Sequence, residues 1–449
     1  MWCRQQNSLL ISGAGSCSAN AALAMAILFL ASMFGLPPAQ AQTFHVIHSF
    51  SAGADGATPL AGVTLDAAGN LYGTAEYGAL TGPMCYSGGC GTVYQLKRSG
   101  SDWILNPLYS FHGNDGANPV ARVMFGVNGT LYGTTEIGGH GNCVFLGSGC
   151  GIVFNLKPSA TVCKTAVCPW TATILYEFTG LTDGGEPGTG DLNFDQSGNV
   201  YGTTVYGGYT GDSCPASNRG CGVVFELTRS AGSWSESILH QFFGAGDGEY
   251  PEAGLIFDNA GNLYGSAAHG DNIQWDGSTY ELTPSGSGWQ ETTLYAFPIQ
   301  GPDGNIVFGG LIFDRQGNLY GSTEVGGSLY GGTVFELSPS NGNWTPTVLW
   351  NFSGNGGSLA SLTMDALGNL YGTTYADGVS EKGNVFKLSP SGHGWTYTSL
   401  HDFTGGSDGA HPIGSVSLDA HGNLYGTASS GGTGSACNGG CGVVWEITP

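Results

Sequence analysis

Seven times along the chain a five-residue phrase returns. It stands at Gly69–Gly73, Gly129–Gly133, Gly198–Gly202, Gly261–Gly265, Gly317–Gly321, Gly368–Gly372 and Gly422–Gly426, as GNLYG or a close variant. The spacings are 60, 69, 63, 56, 51 and 54 residues. Self-similarity at such a period indicates a solenoid, a propeller or an array of one supersecondary unit. The fourth copy shows the unit. Leu255-Ile256-Phe257 is a short apolar run, Asp258–Gly261 a turn signal, and Asn262–Ser266 a second run. A Gly-rich loop precedes a third run at Ser278–Leu282. A further turn leads to a fourth, alternating run at Trp289–Phe297. Four strands joined mostly by tight turns, seven times over, predict an all-β, seven-bladed β-propeller of four-stranded antiparallel blades. Blades packed face to face bury both faces of most strands, so runs such as Leu255–Phe257 lack in/out alternation.

Composition agrees. Of 449 residues 80 are glycine, and only 10% are charged. Glycine costs roughly 1 kcal/mol in a helix interior, which excludes a mainly helical fold. There is no G-X-Y period, so the chain is not collagen. An aromatic content of 11% argues against disorder. The net charge of −22 repels phosphate and makes nucleic acid a poor partner. Length alone would suggest about three domains, and the repeat overrules it.

The ends of the repeat array fit a closed ring. Thr43–Phe50 (TFHVIHSF) matches a fourth run, like LYSF at 108–111 and LHDF at 400–403. Gly442–Thr448 (GVVWEIT) matches a third run, so the seventh copy lacks its fourth. The N-terminal strand is therefore expected to complete the last blade. An open β-solenoid is the alternative, and it would leave two strand edges unpaired.

The pattern GNLYGTT…GG…GxVFELxP…W…LYxFxG resembles the GloVer-type tandem repeat of secreted bacterial "choice-of-anchor" proteins, over essentially all of residues 43–449. The resemblance implies an exported repeat protein with no established activity, often tethered by a C-terminal anchor that this sequence does not show. The blade is also distantly similar to NHL and YVTN propeller repeats, which are mostly binding platforms. That likeness concerns the fold and does not set function.

Arg4 is the only charge before His45, and Ala21–Leu36 is an apolar run followed by Pro37-Pro38 and Ala39-Gln40-Ala41. This reads as a signal peptide over 1–41, cut before Gln42, with the propeller occupying 42–449. The apolar run is short of the ~20 residues a spanning helix needs. Ten cysteines remain after cleavage, in local pairs: Cys85 with Cys90, Cys143 with Cys150, Cys163 with Cys168, Cys214 with Cys221, and Cys437 with Cys441. An even count in an exported chain indicates disulfides formed in an oxidising compartment. None is C-x-x-C, so no zinc site is expected. The location expected is extracellular or cell-surface, with the periplasm as alternative.

Up-and-down strands fix two faces. Asp66, Asp195, Asp258, Asp314, Asp365 and Asp419 open the first hairpin turn of their copies, and read as turn chemistry. Trp103, Trp170, Trp234, Trp289, Trp344 and Trp395 begin the fourth runs, and read as blade packing. On the opposite, top face lie the loops between second and third runs and the crossings between blades. The crossings carry Asp55, Asp115, Asp183, Asp247, Asp303 and Asp408 before Gly, mostly in Asp-Gly-x-x-Pro. These read as capped turns, with a calcium site the sharper alternative. No other cofactor is expected. Where loops differ between copies they offer Glu76, Tyr77, Glu136, Tyr206, His269, Trp275, Glu324, Tyr330 and Tyr375. Aromatic rings beside carboxylates suit neutral sugars or basic peptides. The expectation is a secreted binding or scaffold module for an extracellular glycan or protein. The alternatives are a polysaccharide lyase or glycoside hydrolase using the top-loop carboxylates, and a passive cell-surface repeat protein. No catalytic residue is named by any motif.

Overall fold

The computed structural model describes residues 42–449, apart from 81–84, 86–87, 142, 144–148, 160–168, 212–213, 215–218, 245, 270–276, 287, 300, 354–355 and 393. The expected signal peptide lies outside the described residues. So do Cys163, Cys168 and Trp275, and with them the disulfide expected between Cys163 and Cys168.

The second half of the repeat phrase explains why the unit is a hairpin. Asp66 Oδ1 accepts from the Ala68 and Asn70 amides, and Oδ2 accepts from the Asn70 side chain and the Tyr72 hydroxyl. The same set recurs around Asp195, Asp258, Asp314, Asp365 and Asp419. Gly69 takes φ 79° there, which glycine alone adopts at no steric cost. In the second copy Gly126 stands at the aspartate position, and Asn128, two residues on, takes over part of its role, accepting from Thr130 and donating to Tyr132.

Each unit forms one antiparallel sheet. The first blade runs Val63–Leu65, Leu71–Ala75, Thr92–Ser99 and Asp102–Ser110, paired in that order from inside to outside. Five further sheets repeat this order, and no helix occurs among the described residues. The seventh sheet joins Ser417–Leu418, Leu424–Ala428 and Val443–Thr448 to Thr43–Ser49 as its outer strand. The chain is thus a seven-bladed β-propeller closed by its N-terminal strand, as the sequence predicted. Phe50 seals the join, donating its amide to Gly442.

Two aromatic relays hold blade to blade. In the second strand the last glycine of the phrase faces an aromatic of the third: Gly73 opposes Tyr94, Gly265 opposes Tyr280, Gly426 opposes Trp445. A Cβ on Gly265 would lie 2.3 Å from the Tyr280 hydroxyl, so only glycine fits under the ring. The phenylalanine after each fourth strand then meets that aromatic on the next blade. Phe50 meets Tyr94 at 5.2 Å, Phe242 meets Tyr280 at 5.1 Å, and Phe352 meets Phe386 at 5.2 Å between ring centres. Such edge-to-face or tilted pairs contribute about 0.5–1.5 kcal/mol beyond their burial. At the other end of the blade, Trp103 packs on Tyr425, Trp234 on Tyr132 and Trp395 on Tyr320 of the preceding blades. The repeated tryptophans are therefore packing residues.

Candidate functional site

The crossings build the top of the molecule. In five of them the residue before proline is left-handed: Thr58, Asn118, Glu186, Tyr250 and His411, with Ile306 equivalent where proline is absent. A non-glycine residue pays roughly 1–2 kcal/mol for this conformation, and it is held from both sides. Glu186 donates its amide to Cys150 of the preceding blade and accepts from Val205 of its own. The Cys90, Cys221 and Cys441 carbonyls play the part of Cys150 for Asn118, Tyr250 and Thr58. Four disulfides, Cys85–Cys90, Cys143–Cys150, Cys214–Cys221 and Cys437–Cys441, are formed as the sequence paired them. The fifth expected bridge is not among them, because Cys163 and Cys168 both fall outside the described residues. Each of the four places its second cysteine on a seam between blades, a role the spacing alone did not reveal.

The crossing aspartates stay at the outer strands. Asp55 accepts from the Ser51 amide and hydroxyl and from His48. Asp183 and Asp408 are held likewise by Thr179 and Thr404, and Asp303 accepts from Tyr295. None of the six lines the central channel. Among the described residues no three His, Cys, Asp or Glu side chains are grouped to hold a metal ion.

Past the proline position the chain turns into the channel. Leu60, Glu252, Phe308, Leu359 and Ile413, equivalent residues of five blades, face a cavity of about 470 Å³ that Glu324 also lines. Two residues further along, the wall narrows. Gly62 and Gly254 pack so closely on the next inner segment that a Cβ would meet the Ser415 backbone at 2.3 Å and the Asp191 backbone at 2.7 Å. At this waist Arg122 is paired through Nε with both Asp191 oxygens, at 3.1 and 3.0 Å, and its Nη1 reaches Ser417 at 3.4 Å. The ion pair bridges the second and third blades, and the Ser417 contact reaches the seventh.

Two glutamates, Glu252 and Glu324, line the cavity, and Glu136 couples by charge to Glu252, Glu186 and Glu76. Burial pushes Glu76 up to about 7; a hydrogen bond from Tyr77 opposes this and the Glu136 charge adds to it. Burial also pushes Glu186 up to about 7, with Arg219 opposing and Glu136 adding. Glu252 is pushed up to about 7 by burial, with Glu136 and Glu324 adding. Burial raises Glu136 and Glu324 as well. Thus Glu76, Glu136 and Glu324, which the sequence offered from separate loops, belong to one electrostatic group. Glu186 and Glu252 were missed, because they stand in the crossings where other copies carry Thr, Asn, Leu or Val.

The described aromatic candidates fall into four places. Tyr206 lies under the Arg219 guanidinium at 5.1 Å, with Tyr250 edge-on at 5.4 Å, and Arg219 sits 3.6 Å from Glu186. His269 continues this row beside Tyr250 at 5.2 Å, and burial lowers its pKa. Tyr77 is half-buried against the core between the last and first blades. Tyr375 stacks on His411 at 4.5 Å, while Tyr330 is 77% exposed and apart from the others.

The Gloeobacter/Verrucomicrobia repeat family model matches residues 31–272, 146–361 and 257–449. The chain belongs to this family. No curated protein matches the chain in sequence. Among solved structures it is similar to the extracellular domain assigned to a one-component system of B. thetaiotaomicron, at 12% identity and a TM-score of 0.50, over 90% of this chain and 40% of that one. A second structure of that extracellular domain, assigned to a hybrid two-component system, gives 13%, 0.50, 90% and 39%. PorZ, a surface component of the type-IX secretion system of Porphyromonas gingivalis, gives 13%, 0.46, 87% and 46%. This chain spans less than half the length of these structures, and the likeness is one of fold. Within the family member described here, no helix among the described residues is long and apolar enough to cross a membrane.

Proposed function

We propose that this repeat protein is an exported binding module that takes a glycan or polypeptide on its top face, around the mouth of the central channel. The observation that carries the reading is an open cavity lined by Glu252 and Glu324, with Glu136 coupled by charge to Glu252, Glu186 and Glu76, and Glu186 tied through Arg219 to the row Tyr206, Tyr250 and His269. Specific recognition needs distinct groups, and the turns of the opposite face repeat almost unchanged. Disulfide-held loops lower the entropy cost of ordering on binding, and they suit an extracellular or cell-surface location. A glycan array with the disulfide-bonded chain tests the reading. Tyr206→Ala should weaken the ligand found, and Ser285→Ala on the far face should not. Binding that maps to the far face, or no glycan or peptide binding at all, overturns it and leaves a passive repeat protein.

A second reading has one observation in its favour. Glutamates pushed up to about 7 hold protons near neutrality, as a general acid must. A lyase or hydrolase would release unsaturated or reducing ends from polysaccharide, and lose this with Glu252→Gln.

A further inference from the structure

The cavity walls and the cavity mouth ask for different chemistry. Leu60, Phe308, Leu359 and Ile413 present an apolar surface to the channel, although soluble chains normally bury such residues. Among the charged side chains that line the same cavity, Glu252 and Glu324 make no ion pair among the described residues. The cations at hand are engaged: Arg122 on Asp191, Arg219 on Glu186 and Tyr206. A carboxylate beside an apolar wall is stabilised by an opposite charge brought within hydrogen-bond reach.

We propose that the central cavity binds a primary amine with an apolar body, its ammonium held by Glu252 and Glu324 and its chain lying against Leu60, Phe308, Leu359 and Ile413. An ammonium supplies three donors and no acceptor, the complement of two carboxylates in the cavity lining. The apolar body displaces water from the wall, at about 25 cal/mol per Å² buried. This deepens the proposed binding role and rests on it for entry from the top face. The shared chemistry is an alkylammonium, whether a free amine or a lysine side chain of a peptide.

The test is calorimetric titration of the full, disulfide-bonded chain with 1-aminopentane, with 1-pentanol as the uncharged counterpart, and with a lysine-containing peptide. The amine is expected to bind and the alcohol to bind at least about tenfold more weakly, the weight of one charge-assisted hydrogen bond. Glu252→Gln should weaken the amine by about tenfold, and Phe308→Ala should weaken amine and alcohol alike. Amine binding must drive protons off the raised carboxylates. The charges of Glu136 and Glu324 act on Glu252, and the Arg122–Asp191 pair lines the same cavity; the raised glutamates release protons as the ammonium arrives. Affinity should therefore rise between about pH 5.5 and pH 8, with net proton release measurable in two buffers. Peptide binding with the same Glu252 dependence assigns a lysine side chain as the source; binding of the free amine alone assigns a small molecule. Amine and alcohol binding equally, unchanged amine binding in Glu252→Gln, or no amine binding overturns the proposal. Glycan binding sensitive to Tyr206→Ala would survive that outcome, so the two readings fail separately.

Discussion

The tightest fit in the molecule is a glycine beneath an aromatic ring. Gly265→Ala pushes a methyl into the Tyr280 hydroxyl, with no room in the sheet to yield. It should cost about 1–3 kcal/mol as overpacking, read by urea denaturation. Tyr280 is fully buried and its hydroxyl has no partner among the described residues. Tyr280→Phe should therefore stabilise the protein by about 1 kcal/mol, and should relieve part of the Gly265→Ala cost in the double variant. Other blades already carry Phe154, Phe225, Phe335 and Phe386 at this position. The turn role of Asp66 was legible in the sequence, because Asp-x-x-Gly is local chemistry. The roles of Asn70 and Tyr72 around it were not read. They depend on the hairpin bringing residues four and six positions on back to one carboxylate.

At the scale of strands and loops, the disulfides belong to seams as much as to their own loops. Replacing Cys143 and Cys150 by serine should cost about 2–3 kcal/mol. It should also speed hydrogen exchange at the Glu186 amide, which Cys150 seats at 2.8 Å. The His411 amide, seated by Lys382 in a blade without cysteine, should exchange as before. Non-reducing peptide mapping should find 85–90, 143–150, 214–221 and 437–441 as local links. The same map decides the remaining pair, for which the sequence expects a fifth local link from Cys163 to Cys168. The pairing of the four was legible because each partner is four to seven residues away. The carboxylate group was not, since Glu186 and Glu252 meet Glu136 across blades more than 40 residues distant in sequence. Only the curvature of the ring brings them together.

For the whole molecule, charge and closure decide stability. Glu76, Glu186 and Glu252 have folded pKa values raised from 4.5 to about 7. The folded state therefore binds more protons than the unfolded one between those values, and stability falls as pH rises through them. Asp55, Asp66, Asp365, Asp408 and Asp419 are lowered from 3.8, so their contribution is lost as pH falls below that value. The melting temperature should peak near about pH 4.5 and decline towards pH 8, and a Glu76→Gln, Glu252→Gln variant should flatten the decline. Deleting residues 43–50 removes the outer strand of the last blade and the Phe50–Tyr94 contact. That should lower the melting temperature sharply and promote aggregation at the bared edge. The same strand sets a timetable. Thr43–Ser49 is made before every other strand and pairs with Val443–Thr448, which is made after all of them. The intervening loop is nearly the whole chain, and its closure entropy must be met before the pairing rewards it. Each other blade can form from neighbouring residues as they emerge, while this one waits until Val443–Thr448 has been made. Ring closure is thus the last and slowest pairing, and until it happens six complete blades hold a seventh open along its outer edge.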